Sequence, residues 1–403
     1  MRDRVILHCD CNSFFASVET VMNPEYRNVP MAVCGSQEDR HGIVLAKNEL
    51  AKQYGVRTAD TVYSAKRLCP DLVIARPHYD KYLEFSERIN AIYADYTDLV
   101  EPFGIDESWL DVTASVRAFG SGLHIAEEIR KRIKSEIGVT VSIGVSFNKV
   151  FAKLGSDYKK PDAITVIDRE NYKKIVYPLP VGDLLFVGRK ALEVLAVMGI
   201  AKIGDLAESS PDFLTEKLGK LGETIYKYAR GEDDSAVAPP IEDNKSIGNG
   251  LTFKRNLVTE EEIRSGVDYL SEEIGRRLRR HSLRASTVSV SVKDEYMRVL
   301  QRQRPLSSPS DIGREISDAA MQIIKDFWVL GKPIRSITVT AQSLSSSSNI
   351  SEQIDIFADD SSEATREKLR RGEQVVDAIK ERFGQEAIVR GAIIEGDSGI
   401  FDP

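Results

Sequence analysis

Short apolar runs and amphipathic segments alternate along the first 165 residues of the chain. Arg4–Cys9 is an apolar run that ends at Asp10, and such a run is typical of a buried strand. Tyr79–Tyr96 repeats its apolar residues at helical spacing and predicts an amphipathic helix. The apolar face of this helix carries Tyr82, Phe85, Ile89 and Ile92. This alternation is typical of a domain that mixes helices with a sheet.

The segment Val100–Val112 has the pattern of two short strands separated by a tight connection, Phe103–Glu107. Strands joined so closely form an antiparallel hairpin, because parallel neighbours need a crossover of roughly a dozen residues or more. Val139–Val145 and Ile164–Ile167 predict further strands. The pattern therefore predicts an α+β fold with helices on one face of an antiparallel-containing sheet, and it argues against a doubly wound parallel sheet.

The second half of the chain predicts a helical region followed by another α+β unit. Leu179–Gly231 contains short helical segments separated by glycines, and Asp233–Asn244 is polar and contains two adjacent prolines, as in a linker. Between Ser246 and Thr340, predicted strands alternate with two long helices. The serine-rich segment Ser343–Ser348 predicts a loop or the end of a domain, and Glu363–Phe383 predicts a last helix.

Length and composition indicate a soluble protein of about two to four domains. The chain has 403 residues, of which 42% are hydrophobic and 29% are charged. No apolar run reaches the roughly 18 residues that span a bilayer, and the first residues read as a strand instead of a signal peptide. The cysteines lack the spacing of a zinc or disulfide framework, which indicates a reducing, cytoplasmic setting. They are Cys9, Cys11, Cys34 and Cys69.

Charge is unevenly distributed along this chain, whose net charge is −7. Residues 245–350 contain 17 Lys and Arg against 12 Asp and Glu, whereas the rest of the chain is acidic. A basic segment inside an acidic chain is what local contact with phosphates requires, but an ordinary solvated surface has the same composition. Composition therefore leaves both interpretations open.

Three carboxylates stand at predicted strand ends. Asp10 follows the first buried strand, and Asp106 and Glu107 lie in the hairpin connection. Phosphoryl transfer with two metal ions requires carboxylates from separate segments to converge within about 4 Å of the cations. Neighbouring residues of a strand point to opposite faces. The adjacent pair can therefore share one site only if the hairpin bends, which Gly104 would allow.

Three segments resemble the signature motifs of the Y-family DNA polymerases and stand in the same order. They are ILHCDCNSFFASVE at Ile6–Glu19, VEPFGIDESWLDVT at Val100–Thr113 and VSIGVSFNKVFAKLGSDYKKP at Val141–Pro161. The resemblance continues into Lys245–Gly248 and covers nearly the whole chain. It implies a multidomain α+β protein with a palm, small fingers, a helical thumb and a DNA-binding little finger. The implied boundaries are 1–16 and 79–165 for the palm, 17–78 for the fingers, 166–232 for the thumb, 233–244 for a linker, 245–358 for the little finger and 359–403 for a C-terminal tail.

The resemblance also implies roles for residues of the catalytic half. Two Mg²⁺ ions, for which Mn²⁺ is an alternative, would be held by Asp10, Asp106, Glu107 and the backbone carbonyl of Cys11. Phe15 corresponds to the aromatic ring beneath the incoming sugar, where a 2′-hydroxyl would clash with it. The triphosphate of the incoming dNTP would contact Asn48, Lys52 and Lys160. Glu49 has no such role, because an ionised carboxylate donates no hydrogen bond to a phosphate.

Primer–template DNA is expected to contact the thumb and the little finger. Asp183–Gly199 resembles a helix-hairpin-helix in which Gly188 would approach a DNA phosphate, although Phe186 stands where a second glycine is usual. On the little finger, basic residues on one side of the sheet would follow the phosphate backbone. The selected residues are Arg298, Arg302 and Arg304.

The segment Gln353–Phe357 resembles the peptide with which bacterial polymerases bind the sliding clamp. Its expected contacts are Gln353, Ile356 and Phe357. An extended segment with two or three apolar anchors can fill a hydrophobic groove. The alternative is that the same side chains close the last strand of the little finger.

The activity implied by the resemblance is error-tolerant, template-directed DNA synthesis past lesions, by a monomer without a proofreading nuclease. Asn12 stands where polymerase IV-like members usually have Asp and UmuC-like members have Asn, so the branch stays open. A non-catalytic DNA-binding accessory of the same family is one alternative, although all three carboxylates are present. A nucleotide cyclase is another, and the thumb-like and little-finger-like segments count against it.

Overall fold

The computed structural model describes residues 3–36, 42–239, 245–346, 360–384 and 387–388. The chain divides into two compact units. Unit one comprises residues 1–35 and 43–241, and unit two comprises residues 36–42 and 242–403. Across the described residues, no helix is both long enough and apolar enough to cross a membrane.

The elements of each unit are numbered in chain order. The strands of unit one are β1 (Ile6–Cys11), β2 (Met31–Cys34), β3 (Val44–Lys47), β4 (Val73–Ala75), β5 (Val100–Pro102), β6 (Glu107–Asp111), β7 (Val141–Ser146) and β8 (Ile164–Ile167). Its helices are α1 (Phe14–Met22), α2 (Glu49–Gln53), α3 (Val62–Leu68), α4 (Tyr79–Ala94), α5 (Val116–Phe119), α6 (Gly122–Arg132), α7 (Lys149–Tyr158), α8 (Tyr172–Val176), α9 (Arg189–Val197), α10 (Ile203–Glu208), α11 (Pro211–Leu218) and α12 (Lys220–Ala229). Unit two contains β9 (Ser246–Leu257), α13 (Glu260–Arg280), β10 (Leu283–Asp294), β11 (Val299–Ser310), α14 (Gly313–Phe327), β12 (Ile334–Ser346) and α15 (Asp360–Phe383).

The larger sheet of unit one has the strand order β5-β6-β1-β7-β8. All its strand pairs are antiparallel except β7 and β8, which are parallel. The central strand β1 is buried along its whole length, as its apolar sequence predicts. Its residues Leu7, Cys9 and Cys11 pack in one core with α4 and α6, and this core contains the predicted apolar face of α4. The α+β fold expected from the sequence is confirmed.

The expectation that helices cover only one face of this sheet is wrong, because α7 packs on the opposite face. The close packing requires glycine at position 144 of β7. An added Cβ there would lie 1.8 Å from the carbonyl oxygen of Ala152 and 2.6 Å from the backbone nitrogen of Ser156. On the helix, an added Cβ at Gly155 would lie 3.0 Å from Gly144 Cα. The helix backbone therefore lies directly against the strand.

Two smaller subassemblies complete unit one. A three-stranded sheet of order β3-β2-β4 packs with α2 and α3 around its own small core. The helices α8 to α12 form a helical core that also contains Val150, Phe151 and Leu154 of α7. These subassemblies correspond to the predicted fingers and thumb, whose boundaries stay predictions.

The predicted linker 233–244 is packed against unit one in its first part. Val237 is 3% exposed and shares a core with Ile6 and Trp109. The Arg4 guanidinium donates to the carbonyl oxygen of Asp233 at 2.8 Å. The linker expectation is therefore wrong for residues 233–238. A single apolar side chain provides much of this packing, so the polar composition concealed it.

Unit two is a four-stranded antiparallel sheet of order β11-β10-β12-β9 with α13 and α14 packed on one face. Strand β11 was not expected, because its sequence is polar and contains Pro305 and Pro309. Such residues are tolerated there because β11 is an edge strand. The predicted loop Ser343–Ser348 is wrong over residues 343–346, which continue β12 and pair with β10.

The predicted C-terminal tail contains α15, which belongs to unit two. Ion pairs between arginines and carboxylates hold the helix against the rest of unit two. The pairs are Arg279 with Glu373 and Asp377, Arg370 with Asp311, and Arg366 with Glu315. Glu373 also accepts a hydrogen bond of 2.9 Å from the backbone nitrogen of Gly313, the first residue of α14. The N-cap residue of α14 is Ile312, whose side chain cannot accept a hydrogen bond from the first backbone N–H groups of the helix. Helix α15 therefore supplies the N-terminal cap of α14.

Replacing Glu373 by Ala should destabilise unit two by about 2 kcal/mol, because α14 loses its cap and Arg279 loses one of its carboxylates. Urea unfolding followed by Trp328 fluorescence measures this change. All the chains compared carry Trp109→Phe, so that Trp328 is their only tryptophan. This residue is buried in the core of unit two.

The matched control is Glu367→Ala, which removes an exposed carboxylate of the same helix that pairs with Arg371. It should change stability by less than about 0.5 kcal/mol. Equal unfolding midpoints for Glu373→Ala and Glu367→Ala would contradict the capping role.

Candidate active site

The three predicted carboxylates lie at the end of β1 and at the start of β6. Asp10 is paired directly opposite Glu107 in the antiparallel register, so both side chains lie on the same face. Asp106 precedes β6, and its carbonyl oxygen accepts a 3.0 Å hydrogen bond from the backbone nitrogen of Cys11. Because Asp106 lies outside the strand, strand alternation does not direct it to the other face. Gly104 has room for a Cβ, so the bend does not depend on glycine.

Asp10 is largely buried, and its carboxylate contacts a lysine. Lys160 Nζ lies 2.6 Å from Asp10 Oδ2 and 2.7 Å from Asp157 Oδ1. Burial raises the pKa of Asp10 to about 6, against the lowering effect of Lys160, while Glu107 and Asp157 raise it further. The ionised form of Asp10 therefore depends on a nearby positive charge.

Glu107 has the opposite electrostatic environment. Lys153 Nζ lies 2.5 Å from Glu107 Oε2, and His8 Nε2 lies 3.2 Å from the same oxygen. Burial alone would raise the pKa of Glu107, but the contacts with His8 and Lys153 lower it to about 2. Burial lowers the pKa of His8, so its ring is neutral.

The third carboxylate, Asp106, has a raised pKa because of burial and the negative charge of Glu107. Such a group of mutually repelling carboxylate oxygens suits a hard divalent cation. Among the described residues, no three His, Cys, Asp or Glu side chains already form a cluster that could hold a metal ion. Lysines contact Asp10 and Glu107 instead. The donor set therefore fits a metal, but binding requires the lysines to move or to share these oxygens.

Asn12 connects β1 to the loop that carries Lys160. Its Nδ2 donates to Ser142 Oγ at 2.8 Å, and its Oδ1 accepts from the backbone nitrogen of Asp162 at 2.8 Å and from Thr140 Oγ1 at 3.0 Å. The Asn12 amide is thus used for hydrogen bonds within the fold. Its difference from Asp leaves the three predicted metal ligands unaffected.

Phe15 lies in an aromatic cluster at the start of α1. Its ring stacks on Tyr82, with centroids 4.1 Å apart and planes 11° apart, and meets Tyr79 edge-on. The Tyr82 hydroxyl donates to the buried carboxylate of Glu19 at 2.5 Å. Phe15 itself is half-buried. The ring is therefore held rigidly from one side, as a steric check on a sugar would require.

The three residues predicted to bind the triphosphate have different surroundings in the structure. Asn48 caps α2, since its Oδ1 accepts from the backbone nitrogens of Ala51 and Met31 at 3.0 and 3.1 Å. Its amide also donates to a backbone carbonyl, so the side chain serves the fold. Lys52 is exposed and forms a loose pair with Glu49 at 3.6 Å. Lys160 is the one of the three that reaches the carboxylates.

The helix-hairpin-helix resemblance corresponds to a turn before α9, with Gly188 at its N-cap. Phe186 adopts φ 71°, the left-handed region that favours glycine. Its exposed ring leans against Tyr228, with centroids 6.0 Å apart. The backbone therefore has the conformation that the usual glycine would allow, with an aromatic ring added at the surface.

In unit two, Arg302 and Arg304 lie on the side of the sheet that the helices cover. They pair with Val290 and Val288, which face the helices. Arg304 pairs with Asp326 of α14 at 3.1 Å. Arg298 lies at the β10–β11 turn, outside both strands. Contact of these arginines with DNA stays a prediction.

The central open face of that sheet consists of uncharged residues. The residues that form this face are paired across the four strands, and they are Ser246, Gly248, Gly250, Thr287, Ser289, Ser291, Gln301, Gln303, Thr338, Thr340 and Gln342. The glycines are required there, because an added Cβ at Gly250 would lie 2.4 Å from Thr338 Oγ1. The proposed clamp contacts Gln353, Ile356 and Phe357 lie outside the described residues.

The sequence interpretation missed three residues of the site: His8, Lys153 and Asp157. Lys149, Lys153 and Asp157 recur every four residues, which puts them on one face of α7. That spacing was a usable signal. The position of this face next to the carboxylates could not be read from it, because no helix was predicted over these residues.

A solved Y-family DNA polymerase chimera has this fold, with a TM-score of 0.76 over 85% of this chain and 99% of that chain, at 24% identity. The fold is thus that of a Y-family DNA polymerase. Residues 9–157 match the impB/mucB/samB family and residues 244–356 match the C-terminal domain of that family. The chain belongs to the impB/mucB/samB family of Y-family DNA polymerases.

Two curated relatives match along nearly their whole length. The DNA polymerase IV of Acetivibrio thermocellus is 48% identical over 98% of this chain and 99% of its own. The DNA polymerase IV 2 of Bacillus subtilis is 37% identical over 100% of this chain and 97% of its own.

Proposed function

We propose that this polymerase extends primer–template DNA past lesions by two-metal nucleotidyl transfer, with low fidelity and without a proofreading nuclease. The observation that supports the mechanism is the convergence of Asp10, Asp106 and Glu107 at the ends of β1 and β6. The names of the relatives favour the polymerase IV-like branch over the UmuC-like one. The intact carboxylate set counts against a non-catalytic accessory.

The three carboxylates and the Cys11 carbonyl would hold two Mg²⁺ ions, or Mn²⁺ in their place. Bound metal would lower the pKa of the primer hydroxyl and neutralise the developing charge on the phosphates. Lys160 is held between Asp10 and Asp157, and its ammonium would bind the triphosphate once the metals neutralise those carboxylates. Lys52 would add a second positive charge from the fingers.

The remaining residues orient the substrate. Phe15, held by Tyr82, would lie beneath the deoxyribose and leave no room for a 2′-hydroxyl. Asn48 would act indirectly, by capping the helix that carries Lys52. The free, buried thiols suit a reducing cytoplasm, where we infer that the chain acts as a monomer.

Replacing Asp10 or Asp106 by Asn, or Glu107 by Gln, should nearly abolish primer extension with Mg²⁺, because each change removes a ligand charge and little volume. DNA binding should change little. Gel-based extension and fluorescence anisotropy measure the two properties. The exposed Glu127→Gln on α6 is the control and should extend primers normally. Near-normal extension by Asp106→Asn would refute the two-metal mechanism.

Phe15→Ala should admit ribonucleotides, because its removal opens space below the 2′ position. The measurement is the ratio of kcat/KM for dNTP to that for rNTP. Phe14→Leu is the matched control, since Phe14 is buried in the core on the neighbouring position. An unchanged ratio in Phe15→Ala would exclude this ring as the selector.

We propose that Gln353–Phe357 binds a sliding clamp, because tethering raises the local concentration of a distributive enzyme on DNA. Replacing Ile356 and Phe357 together by Ala should shorten the products made with a loaded clamp and leave clamp-free extension unchanged. Ser351→Ala with Glu352→Ala, just before the motif, is the control.

The alternative role of these side chains predicts another pattern. If they close the little-finger core, the double variant should melt at a lower temperature and lose clamp-free activity as well. A melting curve beside both extension assays therefore separates the two roles, and combined loss would reject clamp binding.

A further inference from the structure

Glu107 is held through one of its two oxygens. Both polar contacts of its carboxylate are made by Oε2, with Lys153 at 2.5 Å and with His8 at 3.2 Å. Both partners are on the side of the sheet covered by α7. A carboxylate fixed in this way presents its other oxygen, Oε1, away from them.

Lys153 is well placed to fix that oxygen. Its side chain is 19% exposed, and its ammonium also lies over the ring of Phe103, 5.5 Å from the centroid. The helix that carries it is set against β7 at Gly144, so its position relative to the sheet is rigid. The ammonium therefore contacts Glu107 from a helix whose backbone is packed closely against the sheet.

His8 is a weaker, uncharged contact on the same oxygen. The side chain is fully buried in β1, and Nδ1 lies 2.8 Å from Ser156 Oγ. Ser156 Oγ donates its own hydrogen to the carbonyl oxygen of Lys153 at 2.8 Å, so it accepts from Nδ1, and a neutral ring then has no hydrogen on Nε2. The contact between His8 Nε2 and Glu107 Oε2 does not have the geometry of a hydrogen bond. The main restraint on Glu107 is therefore Lys153.

We propose that Lys153 is a positioning residue that holds Glu107 Oε2 against α7 and leaves Oε1 to face a metal ion. The inference rests on the proposed two-metal function and adds a residue that acts through a ligand. Partners of metal ligands that fix their orientation commonly change affinity or activity by about 10–100-fold. Mg²⁺ should be the more sensitive ion, because it demands near-ideal octahedral geometry.

The test compares Lys153→Met, Lys153→Arg and the control Lys131→Met, an exposed lysine of α6. In Lys153→Met, kcat with Mg²⁺ should fall by about tenfold or more. It should fall less with Mn²⁺, so the Mn²⁺/Mg²⁺ ratio of kcat rises. Lys153→Arg, which keeps a charged donor, should recover part of the loss, and Lys131→Met should match the unaltered chain.

A second readout does not depend on turnover. Mn²⁺ binding to the protein alone, followed by the electron paramagnetic resonance of free Mn²⁺, should be as tight or tighter in Lys153→Met, because a competing positive charge is removed.

Three results would overturn the inference. Lys153→Met could retain the kcat of the unaltered chain with Mg²⁺. It could lose activity equally with both ions and melt earlier, which indicates a purely structural role. The unaltered chain could neither bind Mn²⁺ nor extend primers, and that result would reject the proposed function itself.

Discussion

The catalytic half of the molecule depends on how closely α7 can approach β7. At Gly144 the helix and strand backbones touch, and a single methyl group would overlap the Ala152 carbonyl. In a packed interior such an overlap cannot be absorbed locally, so the helix would have to move away from the sheet. Lys153, Ser156 and Asp157 would move with it. The glycine therefore determines where the positive charges of the site lie, although it contributes no functional group.

Those charges give similar carboxylates different properties. Asp10 and Glu107 are opposite each other in one strand pair, yet burial raises the pKa of Asp10 to about 6 while Lys153 and His8 lower that of Glu107 to about 2. The difference arises because Asp10 is the more deeply buried, with 9% of its side chain exposed against 25% for Glu107, and because Lys153 of α7 contacts Glu107. The site thus combines one carboxylate that stays ionised with others whose charge depends on a bound cation.

Much of this arrangement could be predicted from sequence, within definite limits. The apolar pattern of β1 and the hairpin that carries Asp106 and Glu107 were sufficient to predict the sheet and its carboxylates. The side on which α7 packs could not be predicted, because it depends on the close contact between the backbones of Gly144 and α7, which the apolar pattern does not reveal. Strand β11 was missed because an edge strand needs little apolar sequence. The first part of the linker was missed because its packing combines one buried apolar side chain, Val237, with hydrogen bonds such as that from Arg4 to the carbonyl oxygen of Asp233.

The uncharged centre of the open sheet face in unit two has a thermodynamic consequence. Hydroxyl and amide side chains that are at least partly exposed there, such as those of Thr338 and Gln342, can donate to phosphate oxygens without replacing condensed counterions. A nucleic acid lying on that face would release few ions, so this part of the binding free energy would change little with ionic strength. Such contacts also carry no base preference. Attachment of this kind would tolerate both a changing salt concentration and a changing sequence, as an enzyme that must stop at any position along DNA requires.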